Sequence, residues 1–314
     1  MSCGFTNNIY KQKYNSFLLG KVDVPFILEG WVRGVQIKVI DIQQHRLNIN
    51  NRYDKGYLRS LQSTIAKDGT PAIDIYFNIH NYLEFLYLKL GRLNVDNSNC
   101  VIALWNVPDL DNAYYTGQYM VFGNGKTEFK PLVSPDVISH ELTHGLVQTI
   151  CGLQYKGHSG ALNESLSDVI AIMYEFYLYQ KYNEDKDISN NLLGQADWEI
   201  GEDIMKNNRH CLRDFINPNS QKQPMRMNDM YYIDPNSNFD YGGVHYNSGI
   251  INHLFYQICL KEDKNDVLEL WHRVYKKLKP DSDFKDFTDI IKGECPIKMF
   301  DTVYKSLVNS NLIK

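Results

Sequence analysis

The pentapeptide His140-Glu141-Leu142-Thr143-His144 constrains this chain more than any other stretch. It lies in a run whose apolar residues Ile138, Leu142, Leu146 and Ile150 recur at helical spacing, and Pro135 suits a helix start. At about 100° per residue, two histidines four positions apart point the same way, one turn from each other. They point away from the apolar stripe. The segment must therefore be a helix with one face in a core and the other carrying two imidazoles. Histidines so placed can bind one Zn²⁺, with Glu141 beside the metal to take a proton from water. Roughly one chain in a hundred of this composition would carry such a match by accident.

A catalytic zinc takes a third protein ligand and keeps one position open. The next helical segment offers it in Asn163-Glu164-Ser165-Leu166-Ser167-Asp168. Glu164, Asp168 and Glu175 share one face there, opposite Leu166, Val169, Ile170, Met173 and Tyr177. Taken alone, such an acidic stripe reads as a solvated face. Following H-E-x-x-H, it is a source of a carboxylate ligand and of a carboxylate to receive a ligand histidine's other N–H. A third stretch, Asp240-Tyr241-Gly242-Gly243-Val244-His245, uses paired glycines for a tight turn that presents His245. Asp240 can hold that imidazole and favour its protonated form. An oxyanion formed by water attack on a carbonyl needs such a donor.

Composition narrows the class. The 314 residues carry a net charge of −4 and are 43% hydrophobic. That argues against nucleic-acid binding and bulk disorder, and no apolar run is long enough to span a bilayer. The six cysteines, Cys3, Cys100, Cys151, Cys211, Cys259 and Cys295, form no CxxC pair. A cysteine-based structural zinc site and a small disulfide scaffold are both disfavoured, and buried thiols are the simpler reading. No signal peptide is legible in residues 1–30. The pattern predicts a β-rich half with one strand over Trp31–Ile40, a helix near 72–90 and short strands over 91–134. Helices follow at 136–151, 160–180, 246–260, 265–278, 283–292 and 296–309.

These residues resemble the thermolysin family of zinc metallopeptidases. HELTHGL, GALNESLSD, DWEIGED and GGVHYNSGIINHLFY occur in the family's order, and nineteen residues separate His144 from Glu164, as in that family. DNAYYTGQYMVFGNG and LWHRVYKKLKPDSDF are similar as well, and the likeness runs from about residue 70. The resemblance implies an α+β fold of two domains: a β-rich one over residues 1–152 ending in the zinc helix, and a mainly helical one over 153–314, with the cleft between them. It implies a secreted zinc endopeptidase acting on peptides or proteins, while the illegible signal peptide leaves an intracellular or unconventionally exported protein open, and monomer is the default oligomeric state.

By the same resemblance His140, His144 and Glu164 hold zinc, and Glu141 is the general base. Tyr155 and His245 bind the oxyanion, with Asp240 orienting His245. Asp168 and Asn163 support His140 and His144. Asn112, Ala113 and Arg213 hold the substrate main chain, and Phe129, Leu132, Val137 and Leu212 form a pocket for a bulky apolar side chain after the scissile bond. Asp136, Glu175, Asp197, Glu199 and Glu202 match a calcium site for one or two ions. The chain departs from the family pattern in three places. The segment between Glu175 and Asp197 is about a dozen residues longer. Tyr241 stands where Asn is usual, and Ser134-Pro135 replaces a glycine pair. The other readings are an aminopeptidase and a catalytically inactive, metal-stabilised binding protein.

Overall fold

The computed structural model describes residues 27–42, 71–96, 98–182, 196–206 and 210–314. Its N-terminal part is built on a five-stranded sheet: β1 (Ile27–Val32), β2 (Val35–Asp41), β3 (Cys100–Val107), β4 (Ala113–Tyr115) and β5 (Met120–Gly123). The strand order is β1-β2-β3-β5-β4, with β2, β3 and β5 parallel and both edge strands antiparallel to their neighbours. The single strand expected over Trp31–Ile40 is instead a hairpin. Arg33 and Gly34 take positive φ values of 48° and 84° and close a two-residue turn between Val32 and Val35. Paired positive φ matches the right-handed twist of the flanking strands, and the continuous β-branched pattern conceals that break.

Alternation along β3 and β5 decides which face meets the core. Ala103, Trp105, Met120 and Phe122 enter the main core. Leu104 and Val121 point the other way, into a small cluster with Ile40, Ile42, Val107 and Tyr119. Helix α1 (Pro71–Leu90) covers the first face. Its Ile75, Ile79, Tyr82 and Phe85 are completely buried.

Helix α2 (Pro135–Ile150) packs on α1 and β4 and lies against α3 (Gly157–Tyr182), which in turn packs on α4 (Asp240–Cys259). Polar ties register these long helices. Tyr82 Oη meets Thr143 Oγ1 at 2.7 Å, and Tyr174 donates to the Asn78 carbonyl at 3.0 Å. α5 (Lys264–Tyr275), α6 (Phe284–Glu294) and α7 (Phe300–Asn309) complete the helical C-terminal domain. Asp263 and Asp283 cap α5 and α6 by accepting hydrogen bonds from the free N–H groups of their first turns. A short antiparallel pair, β6 (Glu199–Ile200) with β7 (Arg213–Asp214), sits between the two parts.

No helix among the described residues is long and apolar enough to cross a membrane. Cys100, Cys151, Cys211, Cys259 and Cys295 are thiols. Cys3 and the first 26 residues lie outside the described part.

Trp271 is fully buried between Phe255 and Phe287, with ring centroids 5.1 and 5.7 Å away in edge-on geometry. Trp271→Ala should cost about 3–5 kcal/mol through lost burial and the cavity left behind. Urea unfolding of both proteins at one pH checks this.

Candidate active site

The H-E-x-x-H helix faces its partner helix with both histidines. Every residue from Pro135 to Thr143 is buried, because α2 is enclosed by the sheet side and by α3 together. His140 Nε2 lies 3.4 Å from Glu164 Oε2, and His144 Nε2 lies 3.5 Å from Glu164 Oε1. One donor atom from each of the three residues falls within 4.8 Å of the others. Glu164 is fully buried, and its Oε2 has no hydrogen-bond partner.

The far side of each imidazole is held. His140 Nδ1 sits 2.8 Å from Asp168 Oδ1, and His144 Nδ1 sits 2.9 Å from Asn163 Oδ1. Each Nδ1–H donates to that oxygen, which orients the ring so that Nε2 faces Glu164. Asp168 also accepts from Arg213 Nη2 at 2.6 Å and from Asn252 Nδ2 at 2.8 Å. Burial opposes charge on Asp168, but Arg213 and His140 outweigh it and hold the carboxyl below its usual range. Burial likewise opposes charge on Glu164, and His245, His140 and His144 together hold it well below. Both groups are therefore carboxylates without a metal.

Gly242 and Gly243 begin α4 with φ of 88° and 77°, following Asp240 and Tyr241 at 48° and 51°. A Cβ on Gly242 would lie 2.3 Å from the Pro235 carbonyl oxygen, so the turn needs glycine for space as well as conformation. The turn folds Asp240 back over the helix start. Its Oδ2 accepts the His245 backbone N–H at 2.8 Å and its Oδ1 meets His245 Nδ1 at 2.6 Å. Glu164 and then Asp240 raise the His245 pKa against burial. His245 Nε2 is 3.0 Å from Tyr155 Oη, which donates to Glu164. Burial and the Glu164 charge raise the Tyr155 phenol pKa, so it stays a donor.

A cavity of about 300 Å³ opens beside these groups. Asn112, Ala113, Phe129, Leu132, Val137, Leu212 and Arg213 all line it, together with His140, Glu141 and His245. Its wall also holds Ile200, Gln221, Gln223 and Tyr246, which sequence reasoning missed. Gln223 is recognisable afterwards only by its contact, since its amide donates to the His245 carbonyl. Asn252 was missed too. It falls seven residues after His245, two helical turns along the same face.

The acidic residues divide. Asp136, Glu175 and Glu202 each bring an oxygen within 4.8 Å of the others. Asp136 and Glu175 are buried, and Oε2 of both Glu175 and Glu202 has no partner. Burial first, then mutual repulsion with Asp197 and Asp203, raises the pKa values of Glu175 and Glu202. Burial and Glu199 push Asp197 up to about 6. Glu199 itself turns away, its Oε2 2.8 Å from His210 Nδ1.

The profile of the thermolysin metallopeptidase catalytic domain matches residues 6–148, and that of its alpha-helical domain matches residues 151–306. Bacillolysin of Bacillus amyloliquefaciens is 32% identical over 260 residues, covering 81% of this chain and 45% of that protein. Neutral protease NprE of Bacillus pumilus is 31% identical over 258 residues, covering 81% and 78%. The chain thus spans a little under half the length of bacillolysin. The precursor of protealysin, a metalloproteinase from Serratia proteamaculans, shares the fold with a TM-score of 0.70 at 23% identity, covering 100% of this chain and 99% of that one.

The acidic cluster generates a pH test. A carboxyl whose folded pKa exceeds its unfolded value binds more protons when folded. Its contribution is complete below about pH 4 and lost as pH rises through the folded value. Without divalent cations, Glu175→Gln should therefore gain stability relative to wild type between pH 4.5 and 8, because it cannot acquire the buried charge. Thermal unfolding of both proteins across that range in chelator measures the difference. A constant difference would contradict the raised pKa.

Proposed function

The chain belongs to the thermolysin family of metallopeptidases, and on that premise we propose that it is a zinc-dependent endopeptidase preferring a bulky apolar residue just after the scissile bond. The observation that carries this reading is the meeting of Glu141, Tyr155 and His245 with a His-His-Glu donor set beside one cavity. The buried Glu164 carboxylate, with His140 Nε2 turned toward its partnerless Oε2 and His144 Nε2 toward its Oε1, fits zinc well. His140, His144 and Glu164 would hold it, leaving one position open. When bound, zinc supplies Lewis acidity that polarises a peptide carbonyl and makes water nucleophilic near neutral pH.

Glu141 takes one proton from the attacking water and later delivers it to the leaving nitrogen. The second water proton, left on the tetrahedral carbon's hydroxyl, also passes to the departing nitrogen, so the products are a carboxylate and an ammonium group, one water is consumed and the carboxylate of Glu141 is restored. As the carbonyl oxygen gains negative charge, the Tyr155 hydroxyl and the protonated His245 donate hydrogen bonds to it. Asp240 supports that protonation, because its carboxylate holds Nδ1–H. Asn112 and the Ala113 backbone bind the substrate main chain. Arg213 serves there through its guanidinium edge, since one nitrogen is committed to Asp168 and its buried Nε has no partner. Phe129, Leu132, Val137 and Leu212 receive the apolar side chain. Excluding water from them favours a Leu or Phe by about 1.5–3 kcal/mol over a small residue.

Calcium suits the second cluster. Asp136, Glu175 and Glu202 would supply the converging hard oxygens, with the Asp197 charge bearing on them, and a divalent cation would relieve the repulsion among these carboxylates. We infer that the protein acts as a monomer in a calcium-rich space outside the cell.

An internally quenched peptide blocked at both ends, with Leu after the cleavage point, tests the main reading. Wild type should cleave it and lose activity in a zinc chelator. Glu141→Gln should bind zinc normally while kcat falls by about 10²–10⁴. A folded, zinc-loaded wild type without turnover would sink the endopeptidase reading. His245→Ala should lower kcat by about 10²–10³ with little change in KM, as expected for a donor that matters when charge develops. Steady-state kinetics on the same peptide separates the two parameters.

A further inference from the structure

Glu199, His210 and Cys211 form another convergent donor group, sharing no residue with the His140–His144–Glu164 set. Glu199 Oε2 lies 2.8 Å from His210 Nδ1, and a donor atom from each of the three residues, the Cys211 sulfur included, falls within 4.8 Å of the others. The local fold brings them together. β6 and β7 pair antiparallel with Glu199 opposite Asp214 and Ile200 opposite Arg213. The Leu212 N–H donates to the Ile200 carbonyl at 2.7 Å, which extends the pairing toward Cys211. The thiol is buried while the imidazole is 79% exposed, so the group is anchored on one side and open to solvent on the other.

The donor types select the ligand. A thiol, an imidazole and one carboxylate form a borderline-soft set that suits Zn²⁺. Calcium takes six to eight oxygens and gains nothing from sulfur or imidazole. Glu199 has also left the all-oxygen cluster of Asp136, Glu175 and Glu202, although it is two residues from Asp197 in sequence. That choice of partner separates a hard-cation cluster from a soft-metal one within a single short loop.

We propose that Glu199, His210 and Cys211 constitute a second, solvent-accessible binding site for a Zn²⁺-class transition metal, distinct from both the H-E-x-x-H centre and the carboxylate cluster. Three protein donors leave a fourth tetrahedral position to water. Binding releases the Cys211 proton, so affinity rises with pH until the thiol is fully ionised. The metal would clamp β6 to the segment entering β7. Leu212 and Arg213, the next two residues, line the cavity beside the zinc helix. The site therefore bears on the cleft wall without touching the reacting atoms.

Cobalt distinguishes this site from the catalytic one, because the His-His-Glu set contains no sulfur. The full chain, stripped of transition metals, kept in calcium and held reduced, is titrated with Co²⁺. Visible bands report loading of the histidine site. A thiolate-to-cobalt charge-transfer band in the near ultraviolet is expected to saturate at one equivalent of sulfur-bound metal. Cys211→Ser should abolish that band and keep the visible bands. His210→Ala, at an exposed position, should weaken the sulfur-bound cobalt by about tenfold or more. It gives an independent answer if serine at the buried position disturbs folding, which circular dichroism detects. A wild type showing the visible bands but no thiolate band overturns the proposal. So does a thiolate band that persists in Cys211→Ser or is indifferent to His210→Ala.

Discussion

Asp168 is the carboxylate on which the site and the helix packing both depend. It is fully buried on α3, and three separate elements donate to it: His140 from α2, Arg213 from β7 and Asn252 from α4. Removing an ion from water costs several kcal/mol even after relaxation. That cost is offset here because the partners include a guanidinium that never loses its charge. The same carboxylate, through its bond to His140 Nδ1, turns that ring so that Nε2 faces Glu164. Loss of the carboxylate would leave Arg213 buried without its counter-charge and His140 free to rotate. The fold and the metal-binding geometry are thus held by one set of hydrogen bonds.

The same helix carries the opposite solution two turns later. Glu175 is as buried as Asp168, but its neighbours are Asp136, Glu202, Asp197 and Asp203, all acids. Among the described residues, a guanidinium meets Asp168, whereas the charged groups that bear on Glu175 are acids. Two similar side chains on one helical face therefore differ completely in what they demand. One is a finished structural joint, whereas the other keeps a proton or takes an outside cation. The β6–β7 pair lies between these regions and contributes to each. Arg213 enters the first and Gly201 donates to Asp136 in the second.

Much of this arrangement is legible in the chain. The helices at 71–90, 135–150 and 157–182 follow from apolar periodicity that is long enough to dominate local preference. The histidine pair and the carboxylates after it share faces that a helical wheel predicts, since their spacing depends on one element at a time. The Trp31–Ile40 strand failed for the opposite reason. Its β-branched residues run on through a turn that rests on the backbone angles of Arg33 and Gly34, and Val and Ile are equally at home on either side. The glycine turn ahead of α4 is legible too, and the helix expected from 246 lies within two residues of where regular helical angles begin. The positive φ values from Asp240 to Gly243 put four residues of tight turn ahead of the regular helix.

The sequence by itself determined which groups could meet within a helix: two imidazoles one turn apart, a base beside them and a stripe of carboxylates on the next segment. The cause is the fixed 3.6-residue period, which needs no knowledge of the rest of the molecule. Tertiary structure alone decided which groups meet between elements. It brought Asn252 and Arg213 onto Asp168, put Gln223 beneath His245 and sent Glu199 to His210 rather than to the acids near it in sequence. Those contacts depend on how elements far apart in the chain pack. A carboxylate's neighbours, and hence its charge and its ligand, are set only when that packing is complete.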